Sequence, residues 1–570
     1  MRDPKSLRSY AWFQGDQYEH LARRAWLRSE GYGPEVFQSK PVIGICNSWS
    51  ELTNCNVHLR EVAQAVKRGV WAAGGVPLEF PTISLGEMFM KPTTMLFRNL
   101  MSMDVEESIV ANPIDGVVLL CGCDKTTPAQ IMGAASADLP AVVVTGGPML
   151  SGRWRGEPLG SGTDGRKLFQ ELRAGRLGEE QWAEVEGCIA RSHGHCTVMG
   201  TASTMASMAE ALGMTLSGGA AIPAVDARRY LLAEASGRRA VEMVWEDLRP
   251  SKIMTKQALE NAIRTDMAIG GSTNAVVHLL AIAGRLGIEL TLDDFDRLSR
   301  ETPYIANLKP SGEFLMEDFY YAGGLPVVLK EILPLLHGDA LTVSGKTMAE
   351  SLADAGAPNR DIVRALDQPL NPEGGTAILY GNIAPDGAVI KQTAASPHLL
   401  KHRGKAVVFE RYEELRAHID DEDLEIDENS VLVLKNAGPH GGPGFPEWGH
   451  LPIPAKLLKR GVMDIVRISD ARMSGTSFGT DVLHISPESA IGGPLAAVET
   501  GDEVELDVPA RKITLRVEDN QIQQRLAARK RPSPHYYRGY GKLFLDTVTQ
   551  AHEGCDFRFL RHLERNGNQG

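Results

Sequence analysis

Residues 116–128, GVVLLCGCDKTTP, join a short apolar run to a row of chemically reactive side chains. The run GVVLL lies between turn-forming residues, and this pattern predicts a buried β-strand. Cys123, Asp124 and Lys125 follow the strand directly, which places a thiol, a carboxylate and an ammonium group at its end. Ligands of open α/β sheets bind beyond the carboxyl ends of strands, so the stretch predicts a functional site. Taken alone, it is equally compatible with a buried cysteine beside an ordinary Asp–Lys pair.

The segments around this stretch alternate between strand and helix patterns. PVIGIC at 41–46 and VPLEF at 76–80 resemble strands, and PAVVVT at 140–145 resembles another. Between the first two, apolar residues recur with helical spacing at Leu59, Val62, Ala63, Val66 and Val70. Strand, helix and strand in succession are typical of a βαβ unit, so we expect a largely parallel sheet and a fold of the α/β class.

The character of the chain changes near residue 370. Residues 371–387 are rich in Gly, Pro and Asn, and the segments after them contain fewer helical patterns. Short strands are predicted there at 406–409, 431–434, 503–508 and 512–517. We therefore expect an α/β domain over residues 1–370 and a β-rich domain over residues 371–570.

Composition narrows the class of protein. A chain of 570 residues is longer than a single core usually supports, and 43% hydrophobic with 23% charged residues is typical of soluble globular proteins. The net charge of −12 argues against a nucleic-acid or anionic-membrane partner. The apolar runs are too short to cross a bilayer, and the first twenty residues lack the apolar core of a secretory signal. Seven widely spaced cysteines do not resemble a disulfide framework, so a cytoplasmic location is expected.

Three of the cysteines, Cys55, Cys123 and Cys196, lie in comparable loop positions. The chain has no CxxC spacing, which argues against a zinc ribbon. Three thiolates from separate strand ends could hold an iron–sulfur cluster and leave one iron incompletely ligated, free to act as a Lewis acid. Buried, inert thiols are the alternative at this point.

A second set of candidates carries oxygen ligands. Glu87, Asp124 and Glu447 lie in predicted loops and suit Mg²⁺, and Lys125 could join them only as a carbamate. Ser474 lies in a glycine-containing loop and could be a nucleophile or a base. The loop lacks the GxSxG pattern and an evident Asp/His partner, so a hydrolase triad has little support.

Five segments together resemble the dihydroxy-acid dehydratase/phosphogluconate dehydratase family. They are CNSWSELTNCNVHLR (46–60), LLCGCDKTTPAQIMGAA (119–135), DMAIGGSTNAVVHLLAIA (266–283), GPHGGPGFPE (438–447) and SDARMSGTSFG (469–479). Three further segments are similar to the aldonate (sugar-acid) branch of that family: GTASTM at 200–205, NAG at 436–438 and GCDFRFL at 554–560.

The resemblance implies roles for particular residues of this chain. It implies three ligands of a 2Fe–2S cluster, with a 4Fe–4S cluster known among the phosphogluconate enzymes: Cys55, Cys123 and Cys196. It implies four Mg²⁺ ligands: Glu87, Asp124, Lys125 as its carbamate, and Glu447. Ser474 matches the catalytic base, and Thr476 matches the hydroxyl that supports it. The implied fold is an N-terminal α/β/α domain followed by a C-terminal β-barrel-like domain, in a homodimer or homotetramer.

The implied reaction is the dehydration of a C5 or C6 aldonic acid to a 2-keto-3-deoxy acid. Ser474, as an alkoxide stabilised by nearby cations and by Thr476, would remove the proton on carbon 2, and the 3-hydroxyl would leave as water. A serine hydroxyl needs a strongly lowered pKa for this role. The alternatives are the dihydroxy-acid dehydratase of valine and isoleucine synthesis and, from another class, a non-catalytic iron–sulfur protein for electron transfer or sensing.

Overall fold

A four-stranded parallel sheet forms the centre of the N-terminal half. The computed structural model describes residues 3–562 of the chain. The strands are β1 (Val42–Asn47), β2 (Val76–Pro81), β3 (Gly116–Cys121) and β4 (Ala141–Thr145), in the order β2-β1-β3-β4. All three strand pairs are parallel, as predicted from the alternating strand and helix patterns. Each predicted strand lies within one residue of the observed one.

Helices cover this sheet. β1, β3 and β4 are buried along their whole length, which requires helices on both faces. The helices of the N-terminal half are α1 (Arg8–Phe13), α2 (Tyr18–Ser29), α3 (Leu59–Ala72), α4 (Met95–Val110), α5 (Thr126–Ala137), α6 (Thr163–Arg173), α7 (Glu179–Ile189), α8 (Thr201–Ala211), α9 (Ala227–Glu246), α10 (Pro250–Ile253), α11 (Lys256–Ile269), α12 (Asn274–Arg285), α13 (Leu292–Glu301), α14 (Met316–Tyr321), α15 (Gly324–Glu331) and α16 (Met348–Ser351). Helix α3 packs with α9, and α4 packs with α5. Because crossovers between parallel strands are right-handed as a rule, these two pairs are expected on opposite faces of the sheet.

The segment between β4 and α8 has its own small structure. A two-stranded antiparallel hairpin, β5 (Gly152–Trp154) with β6 (Glu157–Leu159), precedes α6 and α7. Sequence patterns gave no element here, because the segment is polar and has no sustained apolar period. Helix α6 of this segment contacts the candidate site.

A closed eight-stranded barrel forms the C-terminal half. Its strands are β7 (Ala377–Gly381), β8 (Ala384–Ile390), β9 (Lys401–Phe409), β10 (Val431–Leu434), β11 (Val466–Ser469), β12 (Asp481–Leu483), β13 (Glu503–Asp507) and β14 (Lys512–Leu515). Four helices accompany it: α17 (Tyr412–His418), α18 (Ala455–Lys459), α19 (Asp519–Ala528) and α20 (Gly539–Thr547). The predicted fold class, a parallel α/β part followed by a β-barrel-like part, is confirmed. The domain boundary near residue 370 stays a prediction.

Two further observations concern the length of the apolar helices and the N-terminal segment. Within residues 3–562, no helix is both long enough and apolar enough to cross a membrane. Near the N-terminus the chain forms the two helices α1 and α2.

Candidate active site

The strand order reverses between β1 and β3, and the loops that leave these two strands meet there. Cys55 lies in the loop after β1, and Cys123, Asp124 and Lys125 lie in the loop after β3. A crevice at such a reversal is the usual ligand site of open α/β sheets. The two loops touch: a Cβ atom on Gly122 would lie only 2.5 Å from the Cys55 carbonyl oxygen, so glycine is needed at this position.

The three predicted cluster ligands lie together in this crevice. The Cys55 thiol hydrogen-bonds the Cys123 thiol, and that bond, together with burial and the nearby Cys196 and Asp124, raises the pKa of Cys55 well above its ordinary value. Burial, with Asp124 adding to it, raises the pKa of Cys196 to about 11. The thiolates of Cys55 and Cys196 are therefore unfavourable without a compensating positive charge. Three converging soft donors of this kind fit an iron–sulfur cluster, whose iron ions would supply that charge.

The three predicted carboxylate ligands form a second group beside the thiols. One oxygen each from Glu87, Asp124 and Glu447 lies within 4.8 Å of the others. The fully buried Lys125 Nζ lies among them, 3.4 Å from Glu87 Oε2, 3.6 Å from Asp124 Oδ2 and 3.2 Å from Glu447 Oε1. Hard oxygen donors converging on one point fit Mg²⁺. Carbamylation of Lys125 would replace the ammonium with one more oxygen donor.

The charges of this group are strongly coupled. Burial raises the pKa of the Asp124 carboxyl to about 6, against the pull of Lys125. The pKa of Glu447 is lowered to about 2, because Lys125 and Arg472 outweigh the burial that opposes them. Burial lowers the pKa of Lys125, but Glu87 and Glu447 reverse the effect and leave it above its ordinary value. The group therefore holds a cation tightly, and without a metal that cation is the Lys125 ammonium.

Ser474 lies in a short loop, Met473–Thr476, that we call the base loop. Its Oγ atom lies 3.0 Å from Thr476 Oγ1 and 3.4 Å from the backbone nitrogen of Thr476. Arg472, immediately before the loop, donates to Glu447 Oε1 at 3.0 Å. The residue two positions before Ser474 thereby contacts one of the predicted metal ligands.

Two helices of the N-terminal half begin against the base loop. Asn274, the first residue of α12, donates to the Met473 carbonyl oxygen at 2.9 Å and to Thr201 Oγ1 at 3.0 Å. A Cβ atom on Gly475 would lie 2.4 Å from the backbone nitrogen of Thr201, at the start of α8. The Ser272 hydroxyl caps α12 by accepting from the Asn274 backbone N–H at 3.2 Å, whereas Thr273 makes no capping bond with its side chain.

A third helix, α6, contacts the base loop, and sequence reasoning missed it. Thr163 Oγ1 donates to the Thr476 carbonyl oxygen at 2.7 Å, and Arg166 Nη1 donates to Thr476 Oγ1 at 2.6 Å. Glu447 and Cys196 are electrostatic partners of Arg166 as well. The polar segment 150–195 contains no motif, so the only signal in the sequence was an unassigned arginine 310 residues before its partner.

Comparison with known proteins identifies the family to which this arrangement belongs. The family model described as "Dihydroxy-acid/6-phosphogluconate dehydratase N-terminal" matches residues 40–351, and its C-terminal counterpart matches residues 361–555. The chain belongs to the dihydroxy-acid/6-phosphogluconate dehydratase family. The resemblance seen in the sequence is confirmed, and membership of this dehydratase family makes the protein a hydro-lyase.

Several relatives that match this chain over nearly its full length are named as sugar-acid dehydratases. An L-arabinonate dehydratase of Rhizobium leguminosarum bv. trifolii is 54% identical over 98% of this chain and 97% of its own length. An L-arabonate dehydratase of Azospirillum brasilense is 54% identical over 97% of both chains. A 6-deoxy-6-sulfo-D-gluconate dehydratase of Pseudomonas putida is 49% identical over 98% of this chain and 97% of its own length.

Proposed function

We propose that the protein dehydrates an aldonic acid to a 2-keto-3-deoxy acid, with an iron–sulfur cluster and Mg²⁺ as cofactors. One arrangement carries the proposal: Arg472, directly before the base loop, donates to one of three converging carboxylates, and three thiols lie near another of them, Asp124. A base next to two Lewis-acid sites suits removal of a proton next to a carboxylate and departure of the neighbouring hydroxyl. The sugar-acid names of the relatives favour an aldonate as the substrate.

The residues that would hold the cofactors are those that converge. Glu87, Asp124, Glu447 and carbamylated Lys125 would hold Mg²⁺, which supplies charge stabilisation for a carboxylate and for the enolate that develops next to it. Cys55, Cys123 and Cys196 would hold the cluster, of the 2Fe–2S type, which supplies a Lewis acid for the departing hydroxyl.

Two residues of the protein, Ser474 and Thr476, would carry out the proton transfer. Ser474 Oγ would accept the proton from carbon 2; it is only partly buried, and its loop follows Arg472, which donates to Glu447. Thr476 offers its hydroxyl and its backbone N–H to the same oxygen and would stabilise the alkoxide. Loss of the 3-hydroxyl as water then leaves an enol, and its tautomerisation gives the 2-keto-3-deoxy acid.

Turnover under anaerobic conditions tests this function. Purified protein with its cluster and Mg²⁺ would be given a panel of C5 and C6 aldonates and dihydroxyisovalerate, and 2-keto acid would be measured. We expect keto acid from at least one aldonate and loss of at least 10³-fold of the rate in Ser474→Ala. Ser477→Ala is the matched control, because the buried Ser477 hydroxyl has no hydrogen-bond partner among the described residues.

Two results would contradict the proposal in different ways. Turnover of dihydroxyisovalerate alone would assign the protein to the amino-acid branch of the family. Cluster-loaded protein that turns over neither substrate class but is reversibly reduced would instead support an electron-transfer or sensing role. The proposed surroundings are a cytoplasmic location, a homodimer or homotetramer, and no nucleic-acid or membrane partner.

A further inference from the structure

We propose that Arg166 is a positioning residue for the base: it fixes the direction of the hydrogen bond between Thr476 and Ser474. This inference rests on the proposed function of Ser474 and assigns a role to α6, a helix that the five family-like segments do not include. The role of Arg166 follows from which atom donates in each contact.

Thr476 Oγ1 is the atom through which Arg166 acts. Arg166 Nη1 lies 2.6 Å from this oxygen. A guanidinium group has only donors, so Thr476 must accept in this contact. The threonine hydroxyl keeps one proton of its own, and Ser474 Oγ lies 3.0 Å away. Accepting a bond from a cation strengthens an O–H group as a donor, so Thr476 donates to Ser474.

The second step concerns Ser474 Oγ. It is approached by the Thr476 hydroxyl and, at 3.4 Å, by the backbone N–H of the same residue. Two donors converging on one oxygen stabilise its anionic form more than its neutral form. Without Arg166, the hydrogen bond between Ser474 and Thr476 is free to run in the opposite direction. Ser474 would then donate to Thr476 and keep the proton that a base must lack.

The third step separates this role from simple attachment of the helix. Thr163 already joins α6 to the backbone of the base loop through the Thr476 carbonyl oxygen. Gly162, with φ of +81°, allows that approach, since a Cβ atom there would lie 2.5 Å from Thr476 Oγ1. The start of α6 is further held by Asp164, which accepts from Lys309 Nζ at 2.6 Å. Arg166 is therefore not needed to hold the loop, and its hydrogen bond to the loop goes to the Thr476 hydroxyl rather than to the backbone.

The surroundings of Arg166 suit a fixed positive charge. Burial lowers the pKa of its guanidinium from 12.5, while Glu447 and Cys196 oppose that change. The next residue, Lys167, is exposed and places its ammonium 5.2 Å from the centre of the Phe478 ring. Lys167 thus offers a matched control: it carries the same charge on the same helix but makes no described contact with Thr476.

The experiment compares Arg166→Gln, Arg166→Lys and Lys167→Gln in cluster- and Mg²⁺-loaded enzyme. In Arg166→Gln we expect kcat to fall about tenfold or more, the acidic limb of the kcat–pH profile to move up by about one pH unit, and KM to change little. Arg166→Lys should recover part of the rate, and Lys167→Gln should behave as wild type. A merely structural role would lower the active fraction without moving the pH profile.

A second readout does not depend on turnover. The rate at which a small sulfonyl fluoride modifies Ser474, followed by peptide mass spectrometry, reports its alkoxide character, with Ser474→Ala as the blank. Arg166→Gln should slow this reaction about tenfold, and Lys167→Gln should not. Wild-type labelling and an unshifted pH profile in Arg166→Gln would overturn the inference. If wild type turns over no sugar acid, the proposed function fails, while the labelling comparison still decides the role of Arg166.

Discussion

Lys125 Nζ lies 3.2 Å from Glu447 Oε1, although 322 residues separate the two in the chain. Lys125 follows a strand of the parallel sheet, and Glu447 lies in a loop between two strands of the barrel. The cluster of Glu87, Asp124 and Glu447 around Lys125 is therefore complete only when the two halves of the chain are docked.

The contribution of Glu447 to Mg²⁺ binding is testable by charge removal. Glu447→Gln takes one negative charge from the group while keeping its size. We expect the Mg²⁺ concentration for half-maximal activity, measured after chelation and re-addition, to rise at least tenfold. Glu410→Gln, which removes an exposed carboxylate paired with Lys435, is the control. An unchanged Mg²⁺ requirement in Glu447→Gln would remove this residue from the ligand set.

The assignment of the cluster ligands is testable by spectroscopy. Cys123→Ser replaces a soft thiolate with a poor iron ligand, so we expect loss of most visible absorption and of bound iron and sulfide. Cys188→Ser changes a partly buried cysteine of α7 that lies outside the site and should leave both unchanged. Retention of a full cluster in Cys123→Ser would contradict the assignment.

The Thr476 hydroxyl is expected to matter more than the Thr476 methyl group. Thr476→Val removes the donor to Ser474 at nearly constant volume, and kcat should fall about 10- to 100-fold. Thr476→Ser keeps the hydroxyl and should retain most of the rate. Anaerobic kcat values at equal cluster content are the measurement. Similar rates in the two variants would show that the hydroxyl is dispensable.

Stability should depend on pH through Glu210, which is buried in α8. Burial raises the pKa of its carboxyl from 4.5 to about 7, against the backbone N–H groups of Gly218 and Ala220 and the charge of Arg229. A raised folded-state pKa gives stability that is fully present below pH 4.5 and is lost as the pH rises through 7. Between these limits wild type should lose about 3 kcal/mol of unfolding free energy relative to Glu210→Gln.

Urea unfolding of both proteins at pH 5 and pH 8 measures this difference. The informative quantity is the change with pH, since the amide also alters the hydrogen bonds to Gly218 and Ala220. Glu180→Gln, at an exposed position of α7, should follow wild type. Parallel pH dependences of wild type and Glu210→Gln would show that Glu210 is ionised throughout the range.

Much of the N-terminal sheet was predictable because its strands are apolar runs with clear turn signals. The strand Gly116–Cys121 extends its predicted run by one residue, and the helix Leu59–Ala72 contains the whole predicted apolar stripe from Leu59 to Val70. In the barrel, Val431–Leu434 matches its prediction, whereas Asp481–Leu483 is too short for a period to show. Periodicity finds an element only when it is long enough to repeat.

The candidate site was predictable where its residues lie in recognisable segments, and less so elsewhere. Glu87 was a candidate from its place in a predicted loop, and its carboxylate lies with those of Asp124 and Glu447. Arg166 was missed because its partner Thr476 is remote in sequence and its own helix is polar. Contacts between distant segments depend on docking geometry, which no local pattern encodes.

The hold of α6 on the base loop has a consequence for how such proteins can diverge. Ser474 belongs to the C-terminal half, which forms the barrel. The residues that contact its loop, Thr163, Arg166 and Asn274, belong to the N-terminal half. A gene fusion that joins the first half of one relative to the second half of another would therefore place the base loop against α6 and α12 residues of a different protein. Functional recombinants should be those whose crossover keeps these contacts matched, so the two halves must change together over evolutionary time.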